Sequence, residues 1–331
     1  MDTPPLISVV MPVFNCEQYV GEAIESILAQ TFTDFEFIII DNGSTDRTAQ
    51  ILEQYAHQDE RIAICMEPQR GVAKALNTGC KLASGKYIAR MDGDDVAMPE
   101  LFAAQLEFLE ANPEIGVVGT WVQFINSTGG EVSRSWNEKP VEPPLVKWQV
   151  FSGCPFFHNA VMMRVGPLRE LGYYSTDFHA EDYELWSRLL AVSQGANIPR
   201  PLVHYRLHDE QCVSRLAAIM VKDSLAIATR TIASYIGADV DPAAVHSLWH
   251  HDDAGPDIVP AAILAETLFR SFVDKEQPSR TQRAFVRNDL ADRLFHMAIR
   301  RPHKLSSWLV IWKAAKLDPT VLMRKLKARL R

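Results

Sequence analysis

The run "EFIIIDNGSTDRTAQILEQYAHQ", residues 36–58, decides how this chain is built. Its first part, "EFIII" (36–40), is short and nearly apolar on both faces, which suits a strand covered on two sides. The polar cluster "DNGSTD" breaks that strand, and "DRTAQILEQYAHQ" (46–58) has helical periodicity with Asp46 as the expected N-cap. A strand, a polar loop and a helix in that order form the repeating unit of a parallel sheet with helices on both faces.

The same unit recurs on either side. Strands are expected at "ISVVMPVF" (7–14), "RIAICM" (61–66), "YIARM" (87–91) and "IGVVGTWVQFI" (115–125). Helices are expected at 17–30, 71–83 and 99–111, the last with Pro99 in its first turn. Sheets of this kind bind ligands beyond the carboxyl ends of their strands, and the polar loops "NCE", "DNGSTD", "EPQRG" and "DGDD" all fall there. From 126 to about 213 the pattern is mixed, with one clear helix at 182–192; beyond Ser214 it is helical to Arg331. The expected organisation is an α/β region over 1–213, in halves 1–125 and 126–213, followed by a helical region over 214–331.

The 331 residues can bury a substantial core, and 47% hydrophobic with 23% charged residues is ordinary for a soluble globular chain. A net charge of −7 argues against a general nucleic-acid binder. Five scattered cysteines without CxxC spacing fit a reducing compartment better than a disulfide framework or zinc site. The start "MDTPPLISVVMPVF" lacks the marks of a secretory signal, and no apolar run is long enough to span a bilayer. A cytoplasmic protein is expected, or one peripheral on the inner membrane face. Oligomeric state is left open.

"YIARMDGDDVAMPE" (87–100) crowds Asp92, Asp94 and Asp95 behind a buried strand. Alone, such a triplet reads as a solvated acidic turn. Beside three other polar loops it points to a hard divalent cation, Mg²⁺ or Mn²⁺, gripped by Asp92 and Asp94. Asp95 suits a helix cap or a loop tie. Asp41 and Asn42 are candidates for hydrogen bonds to a base or ribose, and Pro12, lacking an N–H, suits a strand end that lines a cleft. "HAEDYELW" places Glu181 and Asp182 where a loop becomes a helix; Asp182 reads as a cap or as a general base. His158 in "CPFFHNAVMMR" suits either core or cleft, and Leu185 and Trp186 suit packing.

"SVVMPVFN", "DNGSTD", "GVAKALNTGCKLASGKYIARMDGDD", "AEDYELWSRL" and "YRLHDEQCVS" occur in an order that resembles bacterial glycosyltransferase family 2 over residues 5–215. The resemblance implies the GT-A nucleotide-sugar-binding fold, a nucleoside-diphosphate-sugar donor, a divalent metal, and transfer with inversion to a saccharide or lipid-linked saccharide in cell-surface polysaccharide or lipopolysaccharide synthesis. It implies that Pro12, Asp41 and Asn42 form the nucleoside pocket, with Asp92 and Asp94 at the metal and diphosphate. Asp182 would be the base, with Glu181 supporting the acceptor or orienting a neighbour, and His208 reads as a third metal ligand or as a packed or exposed residue. Many relatives carry Asp where this chain has Asn42, so uridine is favoured rather than fixed. Leu76-Asn77 lacks a common Arg, leaving Lys74 or Arg70 to meet phosphate. A sugar-nucleotide-forming nucleotidyltransferase is the enzymatic alternative, but "PVFNCEQYV" lacks its Gly-rich loop. A non-catalytic membrane or partner module is the other.

Residues 300–331 carry ten basic groups and one acid. With Trp308, Leu309, Ile311 and Trp312 they describe either a helix lying on anionic lipid or one packing on the catalytic domain.

Overall fold

The computed structural model describes residues 4–134, 137–208, 212–249, 258–300 and 305–321. Internal contacts divide the chain into two units, Met1–Lys147 with Cys154–Met220, and Trp148–Gly153 with Val221–Arg331.

The first unit opens with the alternation expected of its sequence: β1 (Ile7–Val13), α1 (Val20–Leu28), β2 (Phe35–Asp41), α2 (Thr48–Gln58), β3 (Ile62–Met66), α3 (Val72–Leu82) and β4 (Tyr87–Arg90). It continues through β5 (Val96–Ala97), α4 (Leu101–Ala111), β6 (Ile115–Asn126), β7 (Glu131–Val132) and α5 (Pro143–Gln149). A 3-10 turn, His158–Ala160, leads into β8 (Val161–Arg164), α6 (Val165–Glu170), α7 (Glu181–Val192) and β9 (Gln194–Leu207). Among the described residues the strands form one sheet in the order β3-β2-β1-β4-β8-β6-β9-β5, with β7 paired to β6. The first four are parallel; β8 runs antiparallel between β4 and β6, and β9 runs parallel to β6. This is a mostly parallel mixed α/β sheet flanked by helices, the architecture expected.

Every residue of β1 is buried, because helices cover both faces of the sheet. Helix α1 seats Val20, Ala23, Ile24 and Ile27 at helical spacing. Helix α3 reaches the sheet at Gly79, where an added Cβ would stand 2.5 Å from Val10 Cγ1. The helix backbone there rests directly on the Val10 and Ile40 side chains.

Two helix starts differ from expectation. Helix α2 begins at Thr48 rather than at an Asp46 cap. Asp46 instead ties two loops, its Oδ1 accepting from Thr48 N–H at 3.0 Å and its Oδ2 from Glu17 N–H at 3.1 Å. Helix α4 begins at Leu101, after Pro99, whose carbonyl accepts from Thr31 N–H at 2.9 Å.

The second unit holds most of α8 (Cys212–Ile236), with α9 (Pro242–Trp249), α10 (Val259–Glu276), α11 (Arg280–Ile299) and α12 (Leu305–Leu317). A reciprocal cap starts α11: Ser279 Oγ accepts from Gln282 N–H, and the Gln282 side chain accepts from Ser279 N–H. Leu268, Phe272, Leu290, Leu294, Val310 and Ala314 are fully buried. Trp148 packs edge-on against Phe272 and Trp249 and donates its indole N–H to Asp289 at 3.2 Å. No described helix is long and apolar enough to cross a membrane.

Candidate active site

Parallel register brings the carboxyl ends of the first strands to one edge: Val13 pairs with Asp41, and Asp41 with Met66. The loops beyond are bonded to one another. Thr45 N–H donates to Asn15 Oδ1 at 2.8 Å, and Cys16 N–H to Thr48 Oγ1 at 2.9 Å. The Asn42 amide donates to the carbonyls of Glu67 and Gln69 at 2.9 and 2.8 Å. Its Oδ1 accepts from Gly71 N–H at 2.8 Å. Gly71, at φ 132°, occupies a backbone region that favours glycine and opens α3.

The β3–α3 loop borders a cavity of about 680 Å³. Arg70 and Lys74 line it from the β3–α3 side, and Asp92, Asp94 and Asp95 from the loop after β4. Lys139, His158, Glu181 and Asp182 line it as well.

One carboxylate oxygen from each of Asp92, Asp94 and Asp95 lies within 4.8 Å of the others. Burial pushes Asp92 above the usual carboxylate range; the Arg90 guanidinium, 2.5 Å from Asp92 Oδ2, opposes this and the Asp94 charge adds to it. Asp95 is pushed well up by burial, then by Asp94 and Asp92. Its Oδ1 accepts from Arg206 N–H at 2.7 Å and its Oδ2 from the Asn159 amide, so Asp95 ties the loop and caps no helix. Crowded oxygen donors, with Asp92 and Asp95 raised by burial and neighbouring negative charge, match a hard divalent ion, which would favour the charged forms. His208 Nε2 lies 2.9 Å from Asp94 Oδ2, so His208 meets the cluster through Asp94.

Across the cavity, Glu181 and Asp182 stand in the first turn of α7. Asp182 Oδ1 accepts from Tyr183 N–H at 2.6 Å, and the Cys154 thiol donates to Oδ2 at 3.2 Å. Burial, reinforced by the Asp182 charge, raises Glu181 from 4.5 to about 8. His158 is held well below its ordinary value by burial and by Arg90; its Nε2 is 2.9 Å from the Tyr174 hydroxyl. It is a neutral imidazole, both buried and part of the cavity wall.

The expected nucleoside residues sit apart from that wall. Pro12 is buried in β1 opposite Ile40. The Asn42 oxygen offered to a base in the sequence reading is engaged by Gly71 N–H. Asp41 is 1% exposed; its Oδ1 accepts from Ser44 N–H at 2.8 Å, while its Oδ2 has no partner. Arg70 stacks on Phe14, with its guanidinium carbon 3.7 Å from the ring centroid. Leu185 and Trp186 are fully buried packing residues. Sequence reasoning passed over Arg90, although a charge inside the apolar run "YIARM" was a visible signal. Lys139 and Cys154 stand in stretches without periodicity or motif and gave none.

The Glycosyl transferase family 2 profile matches residues 8–172. An uncharacterized glycosyltransferase of Haemophilus influenzae is 35% identical over 65% of this chain and 69% of its own. This protein belongs to glycosyltransferase family 2. The O-antigen biosynthesis glycosyltransferase WbnJ of Escherichia coli is 32% identical to this enzyme over 62% of the chain and 81% of WbnJ. The crystal structure of S. aureus TarS 1–349, in complex with UDP-GlcNAc, overlays on the glycosyltransferase with a TM-score of 0.59 and 18% identity, covering 96% of this chain and 92% of TarS. That likeness is one of fold, and the fold is GT-A.

Proposed function

We propose that this glycosyltransferase moves a sugar from a nucleoside-diphosphate sugar, UDP-linked by preference, to a hydroxyl of a saccharide or lipid-linked saccharide, with inversion, in building a cell-surface polysaccharide or lipopolysaccharide. The observation that carries the reading is the meeting of the Asp92–Asp94 carboxylates and Asp182 in the wall of one cavity. The UDP-GlcNAc complex of TarS and the O-antigen role of WbnJ support donor and product class.

Asp92 and Asp94 would hold Mn²⁺ or Mg²⁺, with His208 beside Asp94; bound there, the ion supplies Lewis-acid stabilisation to the departing diphosphate. Lys74 and Arg70, next to the amino end of α3, attract the phosphates. The unpartnered Asp41 Oδ2 can accept from uracil N3–H or a ribose hydroxyl, a role expected of Asp41 and Asn42 alike. Asp182 takes the proton of the acceptor hydroxyl as its oxygen bonds to the anomeric carbon and the bond to diphosphate breaks. Glu181, protonated at neutral pH, donates a hydrogen bond rather than competing for that proton. One base and one displacement invert the anomeric centre.

The test is release of free nucleoside diphosphate and sugar transfer from a panel of sugar nucleotides, with Mn²⁺ and with chelator. Donor-specific, metal-dependent transfer is expected. Pyrophosphate release from a nucleoside triphosphate and a sugar 1-phosphate, assayed in parallel, would indicate a nucleotidyltransferase, and no turnover in either assay a binding module.

The partner surface belongs to the same proposal. On α12, Trp308 and Trp312 are 67% and 57% exposed and Leu309 is 42% exposed, while Val310 and Ala314 face inward. Exposed Lys316 lies 5.3 Å from the Trp312 ring on the same face. Two tryptophans and a lysine at i, i+4 and i+8, within a segment of ten basic groups and one acid, suit the anionic cytoplasmic face of a membrane. Residues 301–304 and 322–331 of that segment lie outside the described residues.

A further inference from the structure

Lys139 is a cation in the cavity wall that hydrogen-bonds to no carboxylate among the described residues. Its Nζ donates to the Cys154 carbonyl at 3.0 Å and lies 4.8 Å from the Phe157 ring centroid. An ammonium has three N–H donors, so two remain for something else. The part-buried ammonium therefore keeps donors for a partner in the cavity. Burial lowers the Lys139 pKa, and Cys154 and Asp182 oppose that shift.

The chain around Lys139 is fixed, although it is neither helix nor strand. The Trp121 indole N–H donates to the Lys139 carbonyl at 2.9 Å, and the Asn197 side chain to the Pro140 carbonyl at 2.7 Å. Asn197 N–H donates to the Val141 carbonyl at 3.0 Å. Cys154 then joins Lys139 to the base: its carbonyl holds the ammonium, and its thiol holds Asp182 Oδ2 at 3.2 Å. A cation and the group that receives the acceptor proton are therefore set one residue apart. Arg70 and Lys74 come from elsewhere in the chain, the β3–α3 loop and the first turn of α3.

We propose that Lys139 binds an anionic substituent of the acceptor, so that the sugar receiving the new linkage carries a carboxylate or a phosphate. This rests on the proposed transfer reaction, because it takes Asp182 as the base at the acceptor hydroxyl. The competing explanation is charge balance, with Lys139 serving only to offset Asp182.

Equilibrium binding separates the two. Methyl glucuronide, methyl galacturonide and glucose 6-phosphate are titrated against methyl glucoside and methyl galactoside, with UDP and Mn²⁺ present, into wild type, Lys139→Met and Lys139→Arg. The expected result is tighter binding of at least one anionic probe than of its neutral counterpart. That advantage should fall about 10–10²-fold in Lys139→Met and return in part in Lys139→Arg. Neutral probes should change less than about threefold. The uronides and the sugar phosphate tell carboxylate from phosphate. The proposal is overturned if no anionic probe is favoured, if Lys139→Met leaves the preference intact, or if it weakens acidic and neutral probes alike, as charge balance requires. Sugar transfer from the donor panel is followed in wild type alongside; its absence would count against the transfer reaction and not against the binding result.

Discussion

Glu181 and Asp182 are adjacent carboxyls in one helical turn, and their surroundings separate what they can do. Burial and the Asp182 charge raise Glu181 from 4.5 to about 8, so the folded protein keeps a proton that the unfolded chain releases. That stabilisation is complete below about pH 4.5 and is lost as pH rises through about 8, with a slope approaching about 1.4 kcal/mol per pH unit between them. Glu181→Gln, which stays neutral at every pH, should flatten the curve. Urea denaturation from pH 5 to 9 reads this, and an undiminished decline in the variant would place the proton on another group. Asn42 teaches a different lesson at the same scale. Its position after β2 was legible, but its amide is consumed in tying the β3–α3 loop. Asn42 Oδ1 already accepts from Gly71 N–H, whereas Asp41 Oδ2 has no partner. A motif gives the address of a polar residue, while its hydrogen-bond partners decide what remains for a ligand.

Elements were most legible where the period was clean. Strands β1 to β4 and the helices between them follow from apolar runs and 3.6-residue spacing. Strand β9 did not stand out, because "QGANIPRPLVHYRL" carries two prolines that suppress a strand reading. The sheet accommodates them at a register irregularity, where Thr120 pairs with Ile198 and Trp121 with Pro201. Helix α12 had two expected uses, interfacial or packed on the catalytic domain. Within the helical unit α12 packs on α10 and α11 with Val310 and Ala314 buried, while Trp308 and Trp312 are exposed. If that stripe rests on lipid, the full chain should co-sediment with phosphatidylglycerol vesicles in preference to phosphatidylcholine. Replacing both tryptophans with serine should weaken binding on the order of tenfold or more. Equal pelleting with both lipids, or no change in the double variant, would exclude the membrane; concentration-dependent self-association abolished by the variant would make the stripe a contact between copies.

At the scale of the whole molecule, the fold was carried by alternation of strand and helix, and the site by where the polar loops fell on it. Both are local signals repeated along the chain, which is why a sequence displays them. Lys139, Cys154 and the Asp41–Asn42 division of labour depend on contacts between residues far apart in sequence, and no local pattern encodes those. The account rests on the cluster after β4 gripping a divalent ion that anchors the diphosphate. Calorimetry of UDP binding, in Mn²⁺ and in chelator, for wild type and Asp94→Ala tests this most directly. The account predicts that Mn²⁺ tightens UDP binding to wild type on the order of 10²-fold and that Asp94→Ala loses the gain. UDP binding equally tight in chelator, with the same affinity in Asp94→Ala, would contradict it.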